Sequence, residues 1–168
     1  MSLSEATGRT QTLGAAIGAL AMAVTVGTAL GFQHIGGYIP CKLCLEQRIP
    51  YYIGVPVMVL ALVASLGKWP PLVTRGLLLA GALLMTWSVW LGGFHAGVEW
   101  GFWPGPSDCG VVAAPEGGGS LLDQLDTVVP PSCDEAAARF LGLSFAGWNV
   151  VASLVLAAVA YVAAFRKA

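Results

Sequence analysis

Four cysteines, an arginine and a histidine carry the chemistry available to this sequence. Cys41 and Cys44 stand in P-C-K-L-C-L-E-Q-R, with Arg48 four positions beyond Cys44, while Cys109 and Cys133 lie 24 positions apart later in the chain. Such thiols can be inert buried groups, metal ligands or exchangeable disulfides. Zinc sites built from two cysteine pairs use a short spacing in each pair, which the second pair lacks, so no metal is expected. A static tie between Cys109 and Cys133 suits a long secreted loop, yet it leaves C-K-L-C unexplained. A C-x-x-C pair commonly has one depressed thiol pKa, which makes the couple redox-active.

The neighbours of the first pair favour redox chemistry. Pro40 ends an extended segment, so Cys41 to Cys44 are expected to open a helix whose positive end favours thiolate. On that helix Cys44 and Arg48 share a face, and a permanent guanidinium there would hold an anionic sulfur and attract an electron-rich oxygen. A basic side chain near a helix end can also simply reach headgroups; the adjacent dithiol gives Arg48 a functional reason to be at this depth. Lys42, inside the motif, either favours thiolate or faces water.

The elements that hold these residues are membrane spans. The chain is 57% hydrophobic and 10% charged, and its formal net charge of -1 gives no basic footprint, which excludes nucleic acid as a partner. Uncharged stretches of span length separate its charges and histidines, predicting helices over 12–33, 49–66, 73–94 and 143–165 in one integral membrane domain covering 1–168. The runs do not alternate apolar and polar residues, so a membrane barrel is disfavoured. The first run is longer than the apolar part of a secretory signal and is expected to remain as the first helix. The predicted fold class is all-α, a four-helix transmembrane bundle.

Arg9, Lys68, Arg75, Arg166 and Lys167 fall on the side of the termini; Lys42, Arg48 and Arg139 fall opposite, with every acidic residue except Glu5. The bias predicts cytoplasmic termini. It also puts all four cysteines outside, in loops 34–48 and 95–142, where disulfides persist. A redox-active dithiol at the lipid boundary must hand its electrons to an acceptor, and a quinone dissolved in the bilayer suits that location.

Within the second loop, Ser120 and Asp123 in N-cap spacing and the recurrence of Leu121, Leu122, Leu125, Val128 and Val129 predict a short amphipathic helix near 120–129. Gly14 with Gly18, and Gly27 with Gly31, have the small-x-x-x-small spacing of close helix contacts, within the bundle or at a dimer face. His95 and Glu99 are expected just after the third span, with His95 either relaying a proton to quinone or serving as an interfacial hydrogen-bonding group. His34 reads as a cap or headgroup contact.

The chain resembles the DsbB (disulfide bond formation protein B) family in F-Q-H-x-x-x-x-x-P-C-x-L-C-x-x-x-R at Phe32 to Arg48, in its second pair Cys109 and Cys133, and in F-L-G-L before the fourth span. The resemblance implies that Cys109 and Cys133, as a disulfide, oxidise a DsbA-like periplasmic partner of thioredoxin fold, with Cys109 taking the attack. Cys133 would then exchange with Cys41, freeing Cys44 to donate to ubiquinone or menaquinone beside Arg48. It further implies a bacterial inner-membrane protein in contact with lipid and the quinone pool. A relative of vitamin K epoxide reductase would place its cysteine pairs differently, and a non-enzymatic four-span protein would use its disulfides only as struts.

Overall fold

The computed structural model describes residues 3, 6–109 and 132–167. Five helices and one small hairpin make up the described chain: α1 Arg9–His34, α2 Lys42–Glu46, α3 Ile49–Leu66, α4 Pro71–Glu99, β1 Arg139–Phe140, β2 Leu143–Ser144 and α5 Phe145–Phe165. Four stretches are long and apolar enough to cross a membrane, Arg9–His34, Lys42–Leu66, Pro71–Glu99 and Phe145–Phe165. α1 packs on α3, α3 on α4, α4 on α5, and α5 returns to α1. The fold is the expected all-α bundle. The amphipathic helix foreseen near 120–129 lies outside the described residues.

The bundle is polar inside and greasy outside, as lipid requires. Leu20, Leu83, Trp90 and Leu154 are exposed on its surface, whereas Gln11, Thr74, Arg75, Ser88 and Ser153 are fully buried. At the end of the bundle that holds both termini, Arg75 donates to the carbonyls of Ala164, Arg166 and Ala6, and Gln11 donates to those of Ala163 and Arg166. Polar side chains thus satisfy carbonyls at the end of α5, which its own helix leaves without donors.

Close helix approach relies on glycine notches filled by methionine. A Cβ on Gly18 of α1 would lie 2.3 Å from Met58 Cε, and one on Gly81 of α4 would lie 2.4 Å from Met58 Sδ. Met58, Met22 and Met85 are fully buried at the centre. The flexible thioether side chain suits such irregular gaps. Gly14 packs in the same way against Ala163, whereas a Cβ on Gly27 or Gly31 would meet nothing within 4 Å. Among the described residues, only the first of the two spaced glycine pairs lies in an intramolecular contact.

Three local signals shape the end that carries the cysteines. The F-L-G-L stretch is a two-residue hairpin: Leu141 (φ 52°) and Gly142 (φ 83°) are both left-handed, and Arg139 faces Ser144 while Phe140 faces Leu143. Ser144 then caps α5, its hydroxyl accepting from Gly147 N–H at 3.2 Å. α4 runs to Glu99, so His95 and Glu99 stand on its last turns instead of following it. The helix stops where Gly101 takes φ 72°, letting Phe102 N–H donate back to the Gly97 carbonyl. A titratable residue does not end a helix; a left-handed glycine does.

Candidate redox site

The first cysteine pair is built by a helix start. Cys41 is the N-cap of α2 in extended conformation, and its sulfur accepts from Cys44 N–H at 3.3 Å. The two Sγ atoms lie 2.9 Å apart as a hydrogen-bonded pair of free thiols. Cys41 lies outside the membrane-spanning stretches, and its thiol is held down at about 4. Hydrogen bonding from Cys44 is the largest cause; burial opposes it, and hydrogen bonding from His95 adds to it.

The second pair, Cys109 and Cys133, is joined as a disulfide with Cα atoms 5.9 Å apart. Both cysteines are buried with Cys41, Leu43 and Val98 in a cluster separate from the bundle core, with Cys44 and Phe94 packed against it. The sulfurs of Cys41, Cys109 and Cys133 all lie within 4.8 Å of one another. Thiol–disulfide exchange proceeds by a thiolate meeting a disulfide sulfur, and this cluster brings the two kinds of sulfur together. Cys41 Sγ, Cys44 Sγ and His95 Nε2 form a second such group within 4.8 Å. Its atoms are of metal-ligand type, but the hydrogen bonds around His95 bear on whether Nε2 has a lone pair to offer.

An ion pair spans the two loops. Lys42, next to Cys41, donates to the carboxylate of Asp108, next to Cys109. The ammonium holds the Asp108 carboxyl below the usual carboxylate range. Lys42 therefore does not simply face water.

Arg48 is buried at the N-cap of α3 and donates to Gln33 Oε1 on α1. With Cys44 it lines a cavity of about 500 Å³ whose walls include Phe32, Tyr38, Phe145 and Trp148. Phe32, Tyr38 and Phe145 pack mutually, with ring centroids 5.0 to 5.9 Å apart. An aromatic, largely apolar cavity with one cation and one thiol at its wall fits a flat ring bearing carbonyl oxygens. On the other side of the cysteines, a groove passes Trp100, Trp103, Gly105, Cys109, Cys133 and Asp134.

His95 is buried, its Nε2 lying 3.7 Å from Cys41 Sγ and its Nδ1 2.7 Å from Gln47 Nε2. Behind it runs a polar chain that sequence reasoning missed: Asn149 Nδ2 donates to Gln47 Oε1 at 2.9 Å, and Tyr51 OH donates to Asn149 Oδ1 at 2.7 Å. The signal was present as an asparagine in a mostly apolar fourth span. A polar side chain in lipid needs a partner on another helix. His34, in the last turn of α1, is not brought into this site by any described contact.

Comparison with known proteins agrees with the geometry. Residues 11–163 match the family model described as disulfide bond formation protein DsbB. Disulfide bond formation protein B 2 of Pseudomonas entomophila is 31% identical over 144 residues, covering 83% of this chain and 82% of the relative. Disulfide bond formation protein B of a Polaromonas species is 29% identical over 165 residues, 91% of this chain and 90% of the relative. An uncharacterized protein of Rickettsia prowazekii is 26% identical over 137 residues, 79% of this chain and 76% of the relative. No solved structure matches the chain significantly. With its four apolar spans and its match along nearly the whole length, the chain belongs to the DsbB family of membrane disulfide-forming oxidoreductases.

Proposed function

We propose that the protein reoxidises a DsbA-like dithiol protein of thioredoxin fold and passes the electrons through its two cysteine pairs to a membrane quinone. One observation carries this reading: Cys41 lies among the sulfurs of both pairs, while its partner Cys44 lines the aromatic cavity beside Arg48.

In the first exchange, a partner thiolate attacks Cys109 Sγ. The Cys109–Cys133 bond breaks, and Cys133 leaves as thiolate. The partner's second thiolate then attacks its own sulfur in the mixed disulfide, leaving the partner oxidised and Cys109 and Cys133 reduced. In the second exchange, Cys133 attacks Cys41 Sγ of a Cys41–Cys44 disulfide and frees Cys44 as thiolate. Cys109 then attacks Cys133, which re-forms the second disulfide and releases Cys41. Two electrons and two protons have moved from the partner to the first pair.

A bound quinone, ubiquinone or menaquinone, supplies the two-electron acceptor that restores the first disulfide. Arg48, positioned by Gln33, offers a fixed cation to an oxygen in the cavity, and Cys44 presents its sulfur to the same space. His95 stands on the Cys41 side and does not line the described cavity, which favours a role toward Cys41 over direct contact with the acceptor. The charge bias supports an orientation with both termini in the cytoplasm, and with it a bacterial inner-membrane protein whose two cysteine pairs face the periplasm.

The test mixes purified protein with a reduced thioredoxin-fold dithiol protein and a quinone, following quinone absorbance. Turnover in the parent and its loss in Cys44→Ser are expected. Equal rates would remove Cys44 from the path, and no turnover with any quinone would remove the acceptor assignment.

A further inference from the structure

The hydrogen bonds around His95 leave one arrangement of protons. Nδ1 faces Gln47 Nε2 at 2.7 Å. The same Gln47 nitrogen lies 3.2 Å from the carbonyl of Leu43, an acceptor whose identity is fixed by the backbone. Turning the carboxamide over would set its oxygen against that carbonyl, so the nitrogen must lie on this side. Asn149 agrees, because its Nδ2 donates both to Gln47 Oε1 at 2.9 Å and to Ser88 Oγ at 3.3 Å. Nδ1 thus meets a donor and has to be the unprotonated nitrogen.

Nε2 has the complementary surroundings. It lies 3.7 Å from Cys41 Sγ and 3.7 Å from Glu99 Oε1. Among the described residues, the other oxygen of Glu99 is buried with no hydrogen-bond partner. Both neighbours of Nε2 are acceptors when ionised. Among the described residues, the titratable groups facing the imidazole are Cys41 and Cys44 at the start of α2 and Glu99 on its own helix; the α2–α3 junction meets it through neutral Gln47, which neutral Asn149 of α5 meets in turn.

We infer that Gln47 is a positioning residue: its carboxamide fixes His95 as the Nε2–H tautomer, so that the imidazole donates to the Cys41 sulfur. Asn149 and Tyr51 hold the carboxamide in turn, which extends the support across α5 and α3. The donor at Nε2 stabilises the thiolate that Cys41 becomes when it is released in exchange. It also leaves Nε2 without a lone pair, so the cluster of Cys41, Cys44 and His95 lacks its third metal ligand in this tautomer. The inference deepens the exchange reading above, on which only the benefit to Cys41 rests; the tautomer itself can be measured with neither quinone nor partner present.

The protein has two histidines, so nitrogen NMR of histidine-labelled protein with its first pair reduced can be assigned with a His34→Gln variant. The expected result is a protonated Nε2 and an unprotonated Nδ1 for His95. Gln47→Glu keeps the shape but offers only acceptors, and should move the proton to Nδ1. Cys41 then loses a donor, and the midpoint of its alkylation against pH should rise by about one unit, a tenfold loss of thiolate on the acid side. A parent His95 protonated at Nδ1 overturns the inference, as does a Gln47→Glu protein whose His95 keeps the parent tautomer. Should Gln47→Glu fail to fold, the parent spectrum alone decides. Failure of the quinone assay with the expected tautomer would overturn the relay and leave this assignment standing.

Discussion

Lys42 and Asp108 form an ion pair, and each is the immediate neighbour of a cysteine from a different pair. The contact ties the loop of Cys41 to the loop of Cys109, two segments distant in sequence whose sulfurs lie within 4.8 Å of one another. Both side chains are partly exposed, at 34% and 60%, so bulk salt reaches the pair and weakens it. The Asp108 carboxyl is depressed by Lys42, which means the pair is complete above the ordinary carboxylate range and is lost only as pH falls through the lowered value. Near neutrality, salt is therefore the lever and pH is not. With an uncharged small dithiol as reductant, quinone reduction by the parent should slow as salt rises. Asp108→Asn should be slower by a few-fold at low salt and nearly insensitive to added salt. Identical salt curves would show that the ion pair does not align the loops.

The lowered thiol of Cys41 has a signature of its own. Held at about 4, it is thiolate throughout the neutral range, so its alkylation should stay flat from neutral pH downward and fall only as that value is approached. Cys44→Ala removes the largest cause and should move the midpoint up toward the ordinary thiol range. Mass spectrometry of the peptide containing Cys41, across a pH series, reads both curves. An ordinary thiol midpoint in the parent would contradict the converging donors seen at its sulfur.

These two predictions rest on parts of the molecule that were unequally legible in the sequence. The four spans could be read because uncharged runs of membrane length leave few alternatives, and the C-x-x-C pair because its spacing is itself chemistry. Arg48 was placed near Cys44 by helical spacing, and both line one cavity although α2 ends at Glu46. What escaped was contact between distant segments. Nothing local in sequence links Lys42 to Asp108, and nothing near Gln47 announces its partner Asn149, 102 positions away. Reading charges and histidines as span limits puts His95 in a loop, whereas the left-handed Gly101 sets the end of α4.

The two spaced glycine pairs of α1 should respond oppositely to alanine. A Cβ on Gly14 would come within 2.3 Å of Ala163 Cβ, which is rooted on the α5 backbone and cannot swing aside. Gly14→Ala is expected to destabilise the bundle by about 1–3 kcal/mol, the range for overpacking a close contact. Gly27→Ala meets nothing within 4 Å and should be neutral or slightly stabilising through helix propensity. Thermal unfolding in detergent compares them. Should Gly27→Ala also destabilise, or change oligomeric state, that face would be in contact with another chain.

Gly97 controls the aromatic wall on the disulfide side. A Cβ there would lie 2.0 Å from Trp103 Cζ2, so the indole is seated directly on the glycine. Its Nε1–H donates to the Phe94 carbonyl at 2.9 Å and its ring stacks on Phe94 at 5.9 Å. Gly97→Ala must push Trp103 off that seat and reshape the groove that also holds Cys109 and Cys133. The cavity lined by Cys44, Arg48 and Phe145 does not include either residue. A soluble dithiol protein that uses the groove should therefore be oxidised several-fold more slowly, mainly through a higher KM, while a small dithiol that needs no surface should turn over at the parent rate. The split separates partner recognition from electron transfer. Equal slowing of both reductants would place the effect in the sulfur cluster, through Val98 beside Gly97, and would leave the groove without a docking role.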